Sequence, residues 1–298
     1  LLPYKNPLEH EKWTYTSAQY NQSFDLDAVA ESVGYPMYMK PFDGGAWRGV
    51  SRISNPEQLH KAYDESADML MHLQASVDGF DVFARSLTIG PTTMTMKFQP
   101  DEPMHHRYAV EHNFLSPEAG REIGQISKII NAFFAWEFNS CECLVVDAMS
   151  PVASVHPIDY ANACPDIAIT SLHFYFPWAI GELLKWTTFC VASGRRPQLD
   201  LQTRRYFQIA DDESLSYNAK LDAYEVIADE YFQTADYAEF CAGPGTHIDA
   251  VVAEYIKSTE FDDLLVQTVR GTYPAHEQEK FIAHFRGLIA LWSPPVAP

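Results

Sequence analysis

The apolar pattern of this chain changes near Ser171, and that change limits the folds open to it. Before it, short apolar runs with the two-residue period of strands are interleaved with single helical runs. After it, apolar residues recur every three or four positions, as on helix faces. A chain patterned this way is expected to be α+β, with its strands in the first 170 residues and a helical C-terminal region over 171–298.

Within the first part, Leu26, Val29, Ala30 and Val33 recur at helical spacing, and Gly34 follows as a stop. "MYMK" reads as a short strand ending at Lys40. "SNPEQLHKAYDESADMLMHL" reads as one helix through Leu73, capped by Ser54 or Asn55, with Pro56 in its first turn. "FDVFARSLTIG" and "TTMTMKF" read as a hairpin around Gly90-Pro91. "SPEAGREIGQISKIINAFFAW" reads as a helix capped by Ser116 with Pro117 first. "CECLVVD" and "ASVHPIDY" read as strands joined by a turn near Met149 to Pro151. "SGRRPQLD" reads as a loop within the helical part.

The 298 residues are 47% hydrophobic and 20% charged, an ordinary globular composition, and 21 Lys and Arg stand against 40 Asp and Glu, for a formal net charge of −19. Such a surface repels nucleic-acid phosphates and anionic membranes, so neither is an expected partner. An anion can bind only where cations are gathered locally. No apolar run reaches the roughly 18 residues of a membrane span. The five cysteines, at 141, 143, 164, 190 and 241, include no CxxC pair and read as reduced core thiols, which with the absence of a visible signal peptide gives a cytoplasmic expectation. The chain opens on Leu1 in "LLPYKNP", which reads as a linker, so a preceding segment is expected.

Two constellations carry chemistry. In "GYPMYMKPFDGGAWRGV" a lysine ends a strand and a glycine-rich turn follows. Consecutive backbone N–H groups can converge on an anion where no side chains intervene, and the lysine adds a point charge. The same residues also read as an ordinary hairpin with a surface lysine. In the second constellation, Glu142 and Asp159 fall on two neighbouring strands with Asn162 just beyond. Two carboxylates and an amide oxygen so placed can hold Mg2+, which prefers oxygen ligands. The competing reading is a pair of solvated strand-end acids. A carboxylate inside "CECLVV" is costly without a counter-cation.

In this order, the strand lysine with its glycine loop, a hinge strand, and acids closing the β-region resemble the ATP-grasp superfamily. More narrowly they resemble its bacterial members related to glutathione synthetases and carboxylate–amine ligases. The residues that carry the resemblance are "LPYK", "YMKPFDGGAWRGV", "LQASVDGFDVFARSLTIG", "NSCECLVV" and "IDYANACPD", covering about residues 1–170. The resemblance implies two antiparallel-sheet subdomains that grip a nucleotide. It divides the core into a linker over 1–20, a lid-side subdomain over 21–80 and a metal-side subdomain over 81–170.

The resemblance also implies residue roles. Lys40 contacts the nucleotide phosphates, and Lys5 matches the family's earlier lysine. The loop from Asp43 to Gly49 acts as a lid, with Gly44 and Gly45 permitting closure and Arg48 following the phosphate. Gln74 stands where relatives often have Glu beside the adenine amino group, Ala75 and Val77 give backbone contacts to the purine, and Asp81 meets the ribose. Arg85 binds phosphate or a substrate carboxylate, with Lys97 and Arg107 as further cations. Glu142, Asp159 and Asn162 match the metal ligands. One departure is visible: most relatives separate the last carboxylate and the Asn by one residue, whereas two lie between Asp159 and Asn162, a longer form that the bacterial subgroup shares. His105 and His106 read as loop histidines.

The implied activity is an ATP- and Mg2+-dependent ligase. A carboxylate attacks the γ-phosphoryl group to give an acyl phosphate and ADP, and an amine, or a thiol, displaces phosphate. The implied partners are small-molecule carboxylates and amines, with a homodimer as the assembly to test. Two alternatives stand beside this reading. One is an ATP-binding regulatory protein without catalysis. The other takes the helical region as a docking module, with "LHFYFPW" as its face, against the plainer reading of Phe174, Phe176 and Trp178 as core. The surface around Tyr4 to Trp13 is expected to be apolar and left uncovered by the preceding segment.

Overall fold

A computed structural model of the chain describes residues 25–45, 47–67, 69–196 and 201–293. Lys5 and the stretch from Tyr4 to Trp13 lie outside them. The chain divides into two compact units, the first ending at Asp78 and the second beginning at Gly79. That division falls between two strands, and it leaves residues 171–298 in the same unit as the second sheet.

In the first unit, helix α1 (Leu26–Val33) starts at Asp25, whose side chain accepts from the N–H groups of Asp27 and Ala28, and stops at Gly34 with φ 86°. Strands β1 (Met37–Pro41), β2 (Ser51–Ile53) and β3 (Met71–Ala75) form an antiparallel sheet in the order β2-β1-β3. Helix α2 (Pro56–Glu65) is capped by Asn55, which accepts from the Gln58 N–H. Leu26, Ala30, Leu59 and Tyr63 on the helices pack on Met37, Met39, Ile53 and Met71.

The expected helix through Leu73 is therefore two elements. It ends at Ser66, whose hydroxyl donates to the Tyr63 carbonyl. Ala67 then takes a positive φ of 49°. The apolar run beyond it is strand β3, which places Met71 in the core. A short apolar run does not distinguish helix from strand, and tertiary pairing decided this one.

In the second unit, β4 (Val82–Ile89), β5 (Thr92–Phe98), β6 (Tyr108–Ala109), β7 (Phe138–Val146) and β8 (Ser154–Ala163) form an antiparallel sheet in the order β6-β5-β4-β7-β8. Gly90 turns the β4–β5 hairpin with φ 54°, and a Cβ there would lie 2.4 Å from a ring carbon of Trp186. One face of the sheet, with Val82, Ala84, Cys141, Cys143 and Val145, packs on α3 (Pro117–Phe134). Cys141 and Cys143 are buried with their sulfurs 3.8 Å apart, and that contact together with burial pushes the Cys141 thiol pKa up. All five cysteines are free.

The C-terminal part is helical: α4 (Ile169–Leu172), α5 (Phe176–Ser193), α6 (Thr203–Ala210), α7 (Tyr217–Phe232), α8 (Thr234–Ala242), α9 (Gly245–Tyr255), α10 (Thr259–Thr272) and α11 (Gln278–Ala290). Trp186, Phe189, Tyr206, Tyr231, Phe232 and Tyr237 from α5 to α8 join the same core as the sheet and α3. Phe261, Leu265, Val269, Phe281, Phe285 and Ile289 of α10 and α11 form another core with Ile169. Phe176 packs against that core and Trp178 against the first, while Phe174 is half-buried. The expected α+β class, two antiparallel sheets and a helical C-terminal region, is the architecture found. No helix of the described residues is long and apolar enough to cross a membrane.

A histidine contact joins the short 3-10 turn at Met104–His106 to α11. The His284 ring lies 5.8 Å from His105 and 5.0 Å from His106, centroid to centroid. His173, in the 3-10 turn His173–Tyr175, is 1% exposed, and burial is the main cause that holds its pKa down to about 4. His105 and His284 are also lowered, first by burial. An unfolded His titrates near 6.5, so the unfolded chain takes up these protons first as pH falls. The stability held by the neutral rings is complete above about pH 6.5 and is lost as pH falls below it, for His173 toward its pKa of about 4. The melting temperature should drop by several degrees between about pH 7 and pH 5, and drop less in His284→Gln. A melting temperature flat over that range would show that these rings do not control acid stability.

Candidate functional site

The first sheet presents a polar face opposite its helices, and on the second a few polar side chains stand among buried apolar ones such as Phe83, Leu87, Met96 and Leu144. In the first unit the registers pair Tyr38 with Arg52 and with Gln74, and Lys40 with His72. Directly opposed residues of an antiparallel pair share a face. Tyr38, Lys40, Arg52, His72 and Gln74 therefore line the face away from Met37 and Met39, whose side chains are buried under α1 and α2. Two cations, an aromatic ring, an imidazole and an amide on one face can hold an anionic group and hydrogen-bond a flat heterocycle.

The glycine loop connects β1 to β2. It turns through hydrogen bonds from the Arg48 N–H to the Gly45 carbonyl and from the Val50 N–H to the Trp47 carbonyl. Gly44 has φ 149° and Gly49 φ 73°, and a Cβ on Gly49 would lie 2.8 Å from Pro41. Asp43, Gly44, Gly45, Arg48 and Gly49 are exposed, and so are the rings of Phe42 and Trp47. After β3, the Ser76 N–H donates to the Pro36 carbonyl and Ser76 Oγ to Asp78. Ala75 and Val77 flank that anchor, at the end of the first unit.

In the second unit a row crosses the sheet: Met96 of β5, Arg85 of β4, Glu142 of β7 and Asp159 of β8 are opposed in turn. Arg85 Nη1 is 3.7 Å from Glu142 Oε1, and both side chains are 19% exposed. The Arg85 guanidinium carbon lies 5.4 Å from the Phe98 ring centroid and 5.9 Å from that of Tyr108. Arg85 Nη2 donates to Ser140 Oγ at 3.3 Å, and Asn162 Nδ2 donates to the same oxygen at 3.0 Å.

The pairing of β7 with β8 resolves the unusual spacing before Asn162. In a regular strand, residues three apart point to opposite faces. Here Ser140 is opposed by Asn162 and Glu142 by Asp159, so two steps on β7 match three on β8. This is a β-bulge, which re-aims the side chains beyond it. Asp159 and Asn162 thus share the Glu142 face despite two intervening residues. The expected strand "ASVHPIDY" is longer than read, and Asn162 lies within it.

Three oxygen donors on one face, two carboxylates and an amide, suit a hard cation. With its nitrogen directed to Ser140, the Asn162 amide can offer its oxygen. No group of three His, Cys, Asp or Glu side chains among the described residues is arranged to hold a metal.

Other expected residues are placed differently. Asp81 receives the Ala148 N–H on both carboxylate oxygens, at 3.2 and 3.1 Å, and so ties the β7–β8 turn to the start of β4. Lys97 is not on the Arg85 face: it is opposed to Ala84 and pairs with Glu111 at 2.7 Å. One residue's alternation along β5 explains the difference. Arg107 donates to the Glu102 backbone carbonyl. Tyr38, Arg52, His72, Ser140 and Tyr108 were not expected at either face. Tyr38, His72 and Ser140 each lie two positions before an expected residue on the same strand, Lys40, Gln74 and Glu142 respectively.

Neither a protein-family model nor a curated protein sequence matches the chain. Solved structures do match in part. The biotin carboxylase of Campylobacter jejuni, in complex with an ATP analogue, is 15% identical over 48% of this chain and 34% of its own, with TM-score 0.39. The D-alanine–D-alanine ligase of Bacillus anthracis, complexed with ATP, is 12% identical over 72% and 60%, with TM-score 0.38. That of Helicobacter pylori is 15% identical over 58% and 52%, with TM-score 0.35. This chain therefore spans less than two thirds of each.

Proposed function

We propose that this chain is an ATP-dependent ligase that activates a carboxylate and joins it to an amine, with Mg2+ held by Glu142, Asp159 and Asn162. The observation that carries this reading is the bulge in β8, which gathers those three donors on one face beside Arg85. A solvated pair of strand-end acids needs no such correction of register.

The residues divide the work. Lys40 meets the nucleotide phosphates, and the Gly44–Gly45 turn lets backbone N–H groups and Arg48 approach the terminal phosphate. Gln74 and the backbone at Ala75 and Val77 address the purine. Arg85 orients a phosphate or carboxylate oxygen, its guanidinium fixed by Ser140, Phe98 and Tyr108. Bound Mg2+ supplies charge neutralisation on the phosphate oxygens. No nucleophilic serine or cysteine is needed, in keeping with Cys141 and Cys143 lying buried on the opposite face.

Calorimetry on the full chain tests nucleotide binding. Lys40→Ala should weaken Mg-ATP at least about tenfold, or 1.4 kcal/mol. Unchanged affinity would remove Lys40 from the site. Release of phosphate from ATP, stimulated by a carboxylate and amine together, tests turnover. Binding without any stimulated release would favour a regulatory ATP-binding protein.

A further inference from the structure

The bulge before Asn162 has to be held in place. Between the pairs Ser140–Asn162 and Glu142–Asp159, Cys141 on β7 stands across from both Tyr160 and Ala161 on β8. An extra residue of this kind disrupts the ladder locally. A slip of one residue there would return Asn162 to the opposite face, because side chains alternate with a period of two.

Asn139 meets the disruption. It is 1% exposed, and alternation along β7 puts it on the face of Cys141 and Cys143, away from Glu142. Its Oδ1 accepts the Asn162 N–H at 2.9 Å, and its Nδ2 donates to the Tyr160 carbonyl at 2.9 Å. Those two backbone groups flank Ala161. The orientation of the amide follows from its partners, since an N–H requires an acceptor and a carbonyl requires a donor. One side chain thus offers the bulge both a donor and an acceptor, as the backbone of a neighbouring strand would.

Other side chains of this size would not serve. A carboxylate would repel the Tyr160 carbonyl, a serine hydroxyl is too short to span both groups, and an aliphatic side chain offers neither bond. Ser140, which takes Asn162 Nδ2, lies on the other face and can act only once Asn162 has been brought there.

We propose that Asn139 is a positioning residue for the cation site. Its buried amide holds Tyr160 and Asn162 in the bulged register, and so keeps the Asn162 side chain beside Glu142 and Asp159. This rests on the reading of those three residues as Mg2+ ligands.

Mn2+ favours the same oxygen donors. Added alone to the full chain and followed by loss of the free-ion electron paramagnetic resonance signal, it reports binding without turnover. Asp159→Asn gives the level of binding that the acidic surface provides by itself. Above that level, Asn162→Ala and Asn139→Leu should each weaken Mn2+ at least about threefold. Because Asn139 acts through Asn162, the double variant should bind no more weakly than Asn162→Ala alone, a non-additivity expected of coupled residues. A residue that merely stabilised the sheet would lower the melting temperature and leave the affinity of the folded protein unchanged. Should Asn139→Leu fail to fold, Asn139→Ser is measured in the same way. Full Mn2+ affinity in a folded Asn139 variant overturns the inference and leaves the metal reading standing. So does a double variant weaker than Asn162→Ala by the whole Asn139 effect. Binding at the wild-type level in Asn162→Ala or Asp159→Asn overturns the metal reading, and this inference with it.

Discussion

Glu142→Gln and Asp159→Asn should each abolish stimulated phosphate release while leaving the melting temperature within a few degrees. The two effects separate because the carboxylates contribute little to folding. Asp159 is exposed, and the Arg85–Glu142 pair is 3.7 Å apart and partly solvated. Such a pair stabilises by about 1 kcal/mol or less. An amide at 142 keeps the shape and still accepts from the guanidinium, while Arg85 retains Ser140. Relief of repulsion between the opposed acids can even stabilise the metal-free protein. A hard cation, by contrast, is held chiefly by formal negative charge, and each substitution removes half of what the face offers. Raising Mg2+ should recover part of the activity in Asp159→Asn. Near-normal turnover in either variant at ordinary Mg2+ would show that its carboxylate is not a ligand.

Local signals in the sequence were enough for part of this architecture. Asn55 and Ser116 cap their helices as their neighbours suggest, because capping involves residues within three positions. The β4–β5 turn was legible from Gly90, since a positive φ next to a buried Trp excludes other residues. The polar faces were less legible. Which residues accompany Lys40 depends on registers fixed by the loop between β1 and β2 and by where α2 stops. Neither is written in the five residues around Lys40. The overrun of α2 has the same cause: "MLMHL" satisfies a helix or a strand, and the need of the core for Met71 selects the strand. The bulge is the clearest case. Counting along β8 alone sends Asp159 and Asn162 to opposite faces, and only the pairing with Ser140 and Glu142 shows them together. Lys97 is the converse case: its strand is legible in the sequence, and its face is set by the pairing with Ala84.

Glu137→Ala should cost about 3–5 kcal/mol, the largest stability loss expected from one side chain here. Nothing in "FFAWEF" marks this glutamate, because its partners are 49 to 94 residues away. Oε1 accepts from Arg195 Nη1 at 2.8 Å and from the Tyr231 hydroxyl at 2.7 Å, and Oε2 accepts from Trp186 Nε1 at 3.0 Å. Its backbone carbonyl receives the Gly90 N–H at 2.9 Å. The carboxylate thus joins α5 to α7, while the backbone of the same residue holds the β4–β5 turn. The Arg195 side chain is 6% exposed, with its guanidinium carbon 4.9 Å from the Trp186 and Tyr231 ring centroids. Truncating Glu137 leaves that cation buried without its counter-charge and strands the phenol and indole donors. The cost therefore arises in the unpaired cation and donors more than in the attraction they had to the carboxylate. That distinction is measurable: Glu137→Ala combined with Arg195→Met removes both charges, and should be more stable than Glu137→Ala alone. Urea unfolding of the three proteins gives the comparison. A loss below about 1 kcal/mol for Glu137→Ala, or a double variant no more stable than the single one, would show that solvent reaches Arg195 and that the helices are held to the sheet by apolar packing alone.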